Sequence, residues 1–80
     1  MDIDFNALEQ TFRQALEPTS ITVRRADDTL VFWKDEERVG LEVAKAEVRA
    51  LADRYEDETQ EQIFNRILRD VYCYLVLKYL

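Results

Sequence analysis

The spacing of apolar residues changes twice along the chain, and this change limits the folds that the chain can adopt. Apolar residues recur three or four positions apart over residues 4–17 and again from residue 44 onward, which is typical of amphipathic helices. Between these segments, β-branched and aromatic residues alternate with polar ones, which indicates strands at 21–25, 29–34 and 38–43. The pattern predicts an α+β domain with the element order α-β-β-β-α-α.

The second half of the chain is predicted to hold two helices, of which the last is long and central. Thr59 and Gln62 have the spacing of a capping box, so this helix should begin near Gln60 and run to the terminus. A chain of 80 residues has room for only one hydrophobic core, which predicts a single domain over residues 1–80. One alternative stays open: the preceding helix could begin at Val39 and leave only a two-stranded hairpin.

Alternation divides the predicted sheet into two faces. The face that resembles a core holds Ile21, Val23, Leu30, Phe32, Val39, Leu41 and Val43. With helices on that side only, Val31 and Trp33 would face water beside Thr22 and Arg24. Tryptophan next to arginine is common in protein interfaces, so Val31 and Trp33 are candidate apolar anchors for a partner. Two alternatives compete: Trp33 lies over Gly40 and the stem of Arg24 as a lid, or the register is shifted by one and Trp33 is core.

The last helix is predicted to be apolar on all sides in its final two turns. Its core face comprises Phe64, Ile67, Leu68, Val71, Leu75 and Tyr79. A second stripe on the opposite side, here called the C-terminal stripe, comprises Cys73, Val76, Leu77 and Leu80. A helix of this kind needs cover on both sides. Either the domain itself covers the C-terminal stripe, or a second chain does, as a symmetric helix pair or as a different protein. A strand over 71–77 is a further alternative, but the helical pattern that precedes it favours a helix.

The apolar end of the last helix is not expected to span a lipid bilayer. Its uncharged part, from Val71 to Leu77, is far shorter than the ~20 apolar residues that a spanning helix needs. The first ten residues lack the basic and apolar regions of a signal peptide. The single cysteine has no partner for an internal disulfide, which favours a reducing compartment. We therefore expect a cytoplasmic protein.

The charge of the chain favours a basic protein as partner. Asp and Glu number 17 against 11 Lys and Arg, a formal net charge of −6, which disfavours direct binding to nucleic acid or to an anionic membrane. Carboxylates cluster in two segments, and if these converge they form an acidic partner-binding patch. The candidates are Asp35, Glu36, Glu37, Asp53, Glu56, Asp57 and Glu58.

Common catalytic chemistry has little support in the sequence. Histidine is absent, so the usual general base and the usual neutral metal ligand are missing. Cys73 lies in an apolar segment, which disfavours a reactive thiolate. Gly40 is the only glycine, so no glycine-rich nucleotide loop exists. We predict no catalytic, cofactor-binding or metal-binding residues.

These features predict a small, acidic, non-enzymatic protein-binding module. The leading hypothesis is an inhibitor or neutraliser that occludes a surface of a basic partner, a role found among small phage-encoded inhibitors, although no motif here matches a family. One alternative is a structural subunit that self-associates through its last helix. A second alternative is a nucleic-acid mimic that blocks a DNA- or RNA-binding protein.

Overall fold

The computed structural model describes residues 3–79 and has the predicted element order. The elements are α1 (Phe5–Leu16), β1 (Ile21–Ala26), β2 (Thr29–Lys34), β3 (Glu37–Ala44), α2 (Lys45–Arg54) and α3 (Gln60–Tyr79). The three strands form one antiparallel sheet in the order β1-β2-β3. The alternative with only a two-stranded hairpin is therefore wrong, because Glu37–Ala44 pairs with β2 as a third strand.

Side-chain caps fix the beginnings of α1 and α3. The Asp4 carboxylate accepts a hydrogen bond of 3.1 Å from the Ala7 N–H, as an N-cap residue should. The predicted capping box is confirmed: the Thr59 hydroxyl accepts from the Gln62 N–H at 3.2 Å, and the Gln62 side chain accepts from the Thr59 N–H at 2.8 Å. A further hydrogen bond of 2.9 Å, from the Asp4 N–H to the Gln60 side chain, joins the two helix starts.

The strands are joined by two-residue turns, each of which begins with an aspartate at positive φ. Asp27 has φ 56° and Asp35 has φ 55°. Aspartate tolerates this left-handed region better than most residues because its short side chain can hydrogen-bond locally. The turn chemistry therefore agrees with the hairpins that the sequence predicts.

Replacing Asp35 by glycine should leave the protein as stable or stabilise it, by up to about 1 kcal/mol, because glycine adopts positive φ without steric cost. Replacing the same residue by valine should destabilise it by about 1 kcal/mol or more, since a β-branched side chain is strained at positive φ. Urea unfolding of both variants measures the difference. Equal stability of the glycine and valine variants would contradict the positive φ at this turn.

A bulge interrupts the pairing of β2 with β3. Val31 pairs with Glu42 and Trp33 pairs with Arg38, so three residues of β3 lie opposite Phe32 alone. The two extra residues keep the alternation of faces, because the side-chain period of a strand is two. They also separate Gly40 from Trp33, and a Cβ built at Gly40 would meet no atom within 4 Å. In the alternative that makes Trp33 a lid over Gly40 and Arg24, the contact with Gly40 is therefore wrong.

The core lies between one face of the sheet and the three helices. α1 packs on β1, α2 packs on β3, and α3 packs on both α1 and α2. At its centre the rings of Phe12 and Phe32, both fully buried, meet edge to face with centroids 5.2 Å apart. Leu41, predicted to be core, is only half-buried. Among residues 3–79, no helix packs on the other face of the sheet.

The helices differ in length, and this difference sets what α3 leaves exposed. α3 has 20 residues and is about 30 Å long, whereas α2 has 10 residues and is about 15 Å long. α2 lies beside the first half of α3, with Tyr55 at its C-cap contacting Arg66. α2 is too short to cover the last turns of α3.

Candidate functional site

The C-terminal stripe is exposed on the surface of α3. Leu77 is 88% exposed and Val76 is 39% exposed, and these are the two exposed large hydrophobic residues among the residues described. Cys73 is exposed beside them as a free thiol. Leu80, the fourth predicted member, lies outside the described residues. For the three described members, the alternative that the domain itself covers the stripe is wrong.

The opposite side of the same turns is packed against the domain. Leu75 is fully buried, and Tyr72, Tyr74 and Tyr79 are partly buried against the core. Lys78 donates a 3.1 Å hydrogen bond to the Tyr74 hydroxyl, and this bond raises the pKa of Lys78 above its usual value. These contacts pack the last turns of α3 against the domain, so Cys73, Val76 and Leu77 lie on the outer side of a packed helix.

The uncovered face of the sheet offers less apolar surface than the sequence predicts. Val31 is only 6% exposed, so the prediction that it faces water is wrong. Its neighbours in register are Arg24 on β1 and Glu42 on β3, whose longer side chains flank it. The Arg24 guanidinium lies 4.7 Å from the centroid of the Trp33 ring, in a cation–π arrangement. Trp33 is partly buried and Val31 is covered, so this face presents one partly exposed aromatic residue.

The predicted acidic residues do not converge on one patch. Asp35, Glu36 and Glu37 are exposed at the β2–β3 turn. Asp53 lines a shallow depression with Asp28 and Thr29, at the other end of β2. The ends of this six-residue strand are about 17 Å apart, so the turn and Asp53 form separate surfaces.

The three remaining candidates lie in the loop between α2 and α3, and one of them is already paired. Glu56 and Asp57 are exposed, whereas Glu58 forms an ion pair of 2.6 Å with Arg66 of α3. The Arg66 guanidinium also lies 4.0 Å from the centroid of the Tyr55 ring, and its hydrogen bond to Glu58 raises the pKa of Arg66. Glu58 therefore anchors the loop to α3, and only Glu56 and Asp57 remain as surface charges there.

A groove that the sequence did not reveal lies between β3, α2 and α3. Its volume is about 260 Å³. The apolar lining residues are Leu41, Val43, Val48, Leu51, Ile67 and Val71, and the charged ones are Glu42, Glu47 and Asp70. Periodicity assigns Leu41 and Leu51 to the core, but it cannot show that three elements leave a gap where these side chains meet. Two spacings are local signals that a carboxylate adjoins this apolar surface: Glu47 and Leu51 are four apart on α2, and Ile67 and Asp70 are three apart on α3.

Over residues 3–79, no helix has the length and apolar character needed to cross a membrane. Comparison of the chain with protein-family models, with curated proteins and with solved structures found no match.

Proposed function

We propose that this chain is a non-enzymatic protein-binding module that occludes a surface of a basic partner protein, with the C-terminal stripe as its main contact. The observation that carries the proposal is the exposure of Val76 and Leu77, at 39% and 88%, on a helix whose other side is packed. An ordered exposed aliphatic surface loses little conformational entropy on binding and gains from burial. Such a surface is suited to an anchor that slows dissociation.

The charge of the chain favours a different protein over a second copy of the same chain. Two copies, each with a formal net charge of −6, repel one another, whereas a basic partner is attracted. Attraction between opposite charges accelerates encounter, and apolar anchors then lower the dissociation rate. Occlusion of the partner follows from this binding and requires no catalysis.

The acidic residues give the nucleic-acid mimic less support. A mimic of a phosphate backbone would present its carboxylates along one surface, but Asp35 and Asp53 lie at opposite ends of β2. Trp33 lies on the sheet face away from the helices, so it would belong to a second contact. The stripe is therefore the surface on which we place the primary contact.

Photo-crosslinking from the stripe tests the proposal. With benzoylphenylalanine at position 77, light should join the protein to one partner in host extract, and mass spectrometry identifies that partner. The matched control carries the same group at position 50, because Ala50 is also exposed on a helix but lies outside the stripe. The purified partner should then bind wild type and Ala50→Asp, and should bind Leu77→Asp at least about tenfold more weakly.

Light scattering across a concentration series distinguishes the self-associating subunit. We expect wild type to be a monomer at micromolar concentration. A dimer that dissociates on the Leu77→Asp change would assign the stripe to self-association and would contradict the proposed role. Equal partner binding by wild type and Leu77→Asp would also contradict it.

A further inference from the structure

The C-terminal stripe is too small to form an interface alone. A stable interface buries about 800 Å² on each partner, and three side chains supply only a fraction of that area. On α3, Asp70, Cys73 and Leu77 are spaced i, i+3 and i+7, so they follow one side of the helix over two turns. Asp70 lines the groove between β3, α2 and α3. The groove and the stripe are thus adjacent parts of one surface.

The floor of the groove suits an aliphatic side chain. Ile67 and Val71 form its base on α3, and the half-buried Leu41 and Leu51 form its walls on β3 and α2. Its volume of about 260 Å³ lies just below the range of about 300–1,000 Å³ that small-molecule pockets occupy. A groove of this size can bury one or two side chains of a protein segment.

The rim of the groove carries only negative charge. The three charged residues that line it are Glu42, Glu47 and Asp70. Glu42 is paired with Arg38 at 2.9 Å and Asp70 with Arg69 at 3.9 Å, but both pairs are highly exposed and therefore weak. Among residues 3–79, no ion pair involves Glu47. Lys or Arg side chains of a partner would meet three carboxylates around an apolar floor.

We infer that the groove receives an aliphatic side chain from a basic segment of the partner, a leucine or isoleucine flanked by lysine or arginine. This inference rests on the proposed function and specifies the chemistry of its partner. The aliphatic side chain lies on Ile67 and Val71, the flanking cations pair with Glu47 and Asp70, and the segment continues along α3 to Leu77. Apolar burial supplies the affinity, and the carboxylates select the flanking charges.

A peptide titration tests this inference directly. The probe is a hexapeptide with two central leucines flanked on each side by two arginines, added to ¹⁵N-labelled protein up to about 1 mM, the range in which weak complexes form. Amide signals of Glu47, Leu51 and Asp70 should shift, while the indole signal of Trp33 should not. Peptides with serines in place of leucines, or glutamates in place of arginines, should shift these signals much less.

Two variants measure separately how the charged rim and the apolar lining of the groove contribute to peptide binding. Glu47→Lys should weaken peptide binding about threefold, whereas Glu36→Lys, the same charge change at the exposed β2–β3 turn, should leave it unchanged. Leu41→Thr introduces a β-branched residue, which suits a strand, and should weaken binding about tenfold by removing part of the wall. If Glu47→Lys does not fold, Asp70→Asn tests the same rim.

The groove inference and the proposed function can fail separately. Shifts that map to the β2–β3 turn, no shifts at all, or equal binding by Glu47→Lys and Glu36→Lys would overturn the groove inference. If the crosslinked partner is lost on Leu77→Asp but bound normally by Glu47→Lys and Leu41→Thr, the stripe acts without the groove. If Leu77→Asp has no effect on the partner while the peptide still binds the groove, the proposed role of the stripe fails.

Discussion

Replacing Phe12 by alanine should destabilise the domain by about 3–5 kcal/mol, because the change removes a fully buried ring and leaves a cavity. Phe12 meets Phe32 edge to face at 5.2 Å, and this contact joins α1 to the central strand. Native domains are stable by only about 5–15 kcal/mol, and a chain of 80 residues belongs near the lower end. The variant should therefore be partly or largely unfolded at 37 °C.

Urea unfolding followed by the fluorescence of Trp33, the only tryptophan, measures the effect. Tyr79→Ala is a suitable control because it also removes an aromatic ring, but from a half-buried position at the end of α3. We expect the control to cost about 1 kcal/mol or less. A loss below about 1 kcal/mol for Phe12→Ala would mean that α1 does not pack on the sheet as described.

Local patterns were sufficient to predict the element order. The change from helical to alternating spacing and back marks the two boundaries of the sheet, and separate local signals mark the starts of α1 and α3. Asp4 caps α1, and Thr59 with Gln62 begins α3 at the expected residue. These signals are short-range, since caps and turns depend on residues within about four positions.

The properties that depend on pairing between distant residues were not predictable from the sequence. The bulge opposite Phe32 places Gly40 away from Trp33, and alternation alone cannot reveal extra residues in a strand. Val31 lies on the predicted face of the sheet, away from the core. Arg24 and Glu42 flank its side chain, however, and little of it is exposed. Facing away from the core and being accessible to a partner are thus separate properties.

The arrangement of the predicted acidic residues also depends on contacts between distant residues and was not predictable from the sequence. Asp35 and Asp53 both belong to carboxylate-rich segments, but the fold places them at opposite ends of β2. Glu58 forms an ion pair with Arg66, which lies eight residues later and on the next helix. In contrast, Glu42, Glu47 and Asp70 are isolated in the sequence and converge at one groove. Local charge density therefore did not identify the acidic surface that adjoins apolar residues.

The exposure of the C-terminal stripe follows from the lengths of the helices. α2 has 10 residues and α3 has 20, so α2 lies along only part of α3, and among the described residues Val76 and Leu77 remain exposed. Leu77, which is 88% exposed, contributes little to the stability of the isolated domain, because burial is what makes an apolar side chain favourable. This exposed surface is the one that we propose as a site of interaction.

Two leucines two positions apart on α3 allow this argument to be tested by stability alone. Leu75→Ala should destabilise the domain by about 2–5 kcal/mol, because its side chain is fully buried. Leu77→Ala makes the same chemical change at a residue that is 88% exposed, so the free energy of unfolding should change by less than about 0.5 kcal/mol. Urea unfolding of both variants at two protein concentrations measures the contrast.

If Leu77→Ala destabilises the domain, the dependence of this loss on protein concentration shows its cause. If Leu77→Ala costs about 2 kcal/mol at both concentrations, the stripe is covered within the monomer and the proposed contact surface does not exist. If the cost appears only at the higher concentration, wild type is stabilised by association with a second copy. If Leu77→Ala has no effect at either concentration, Leu77 does not serve the stability of the isolated chain, as the proposed role in binding a different protein requires.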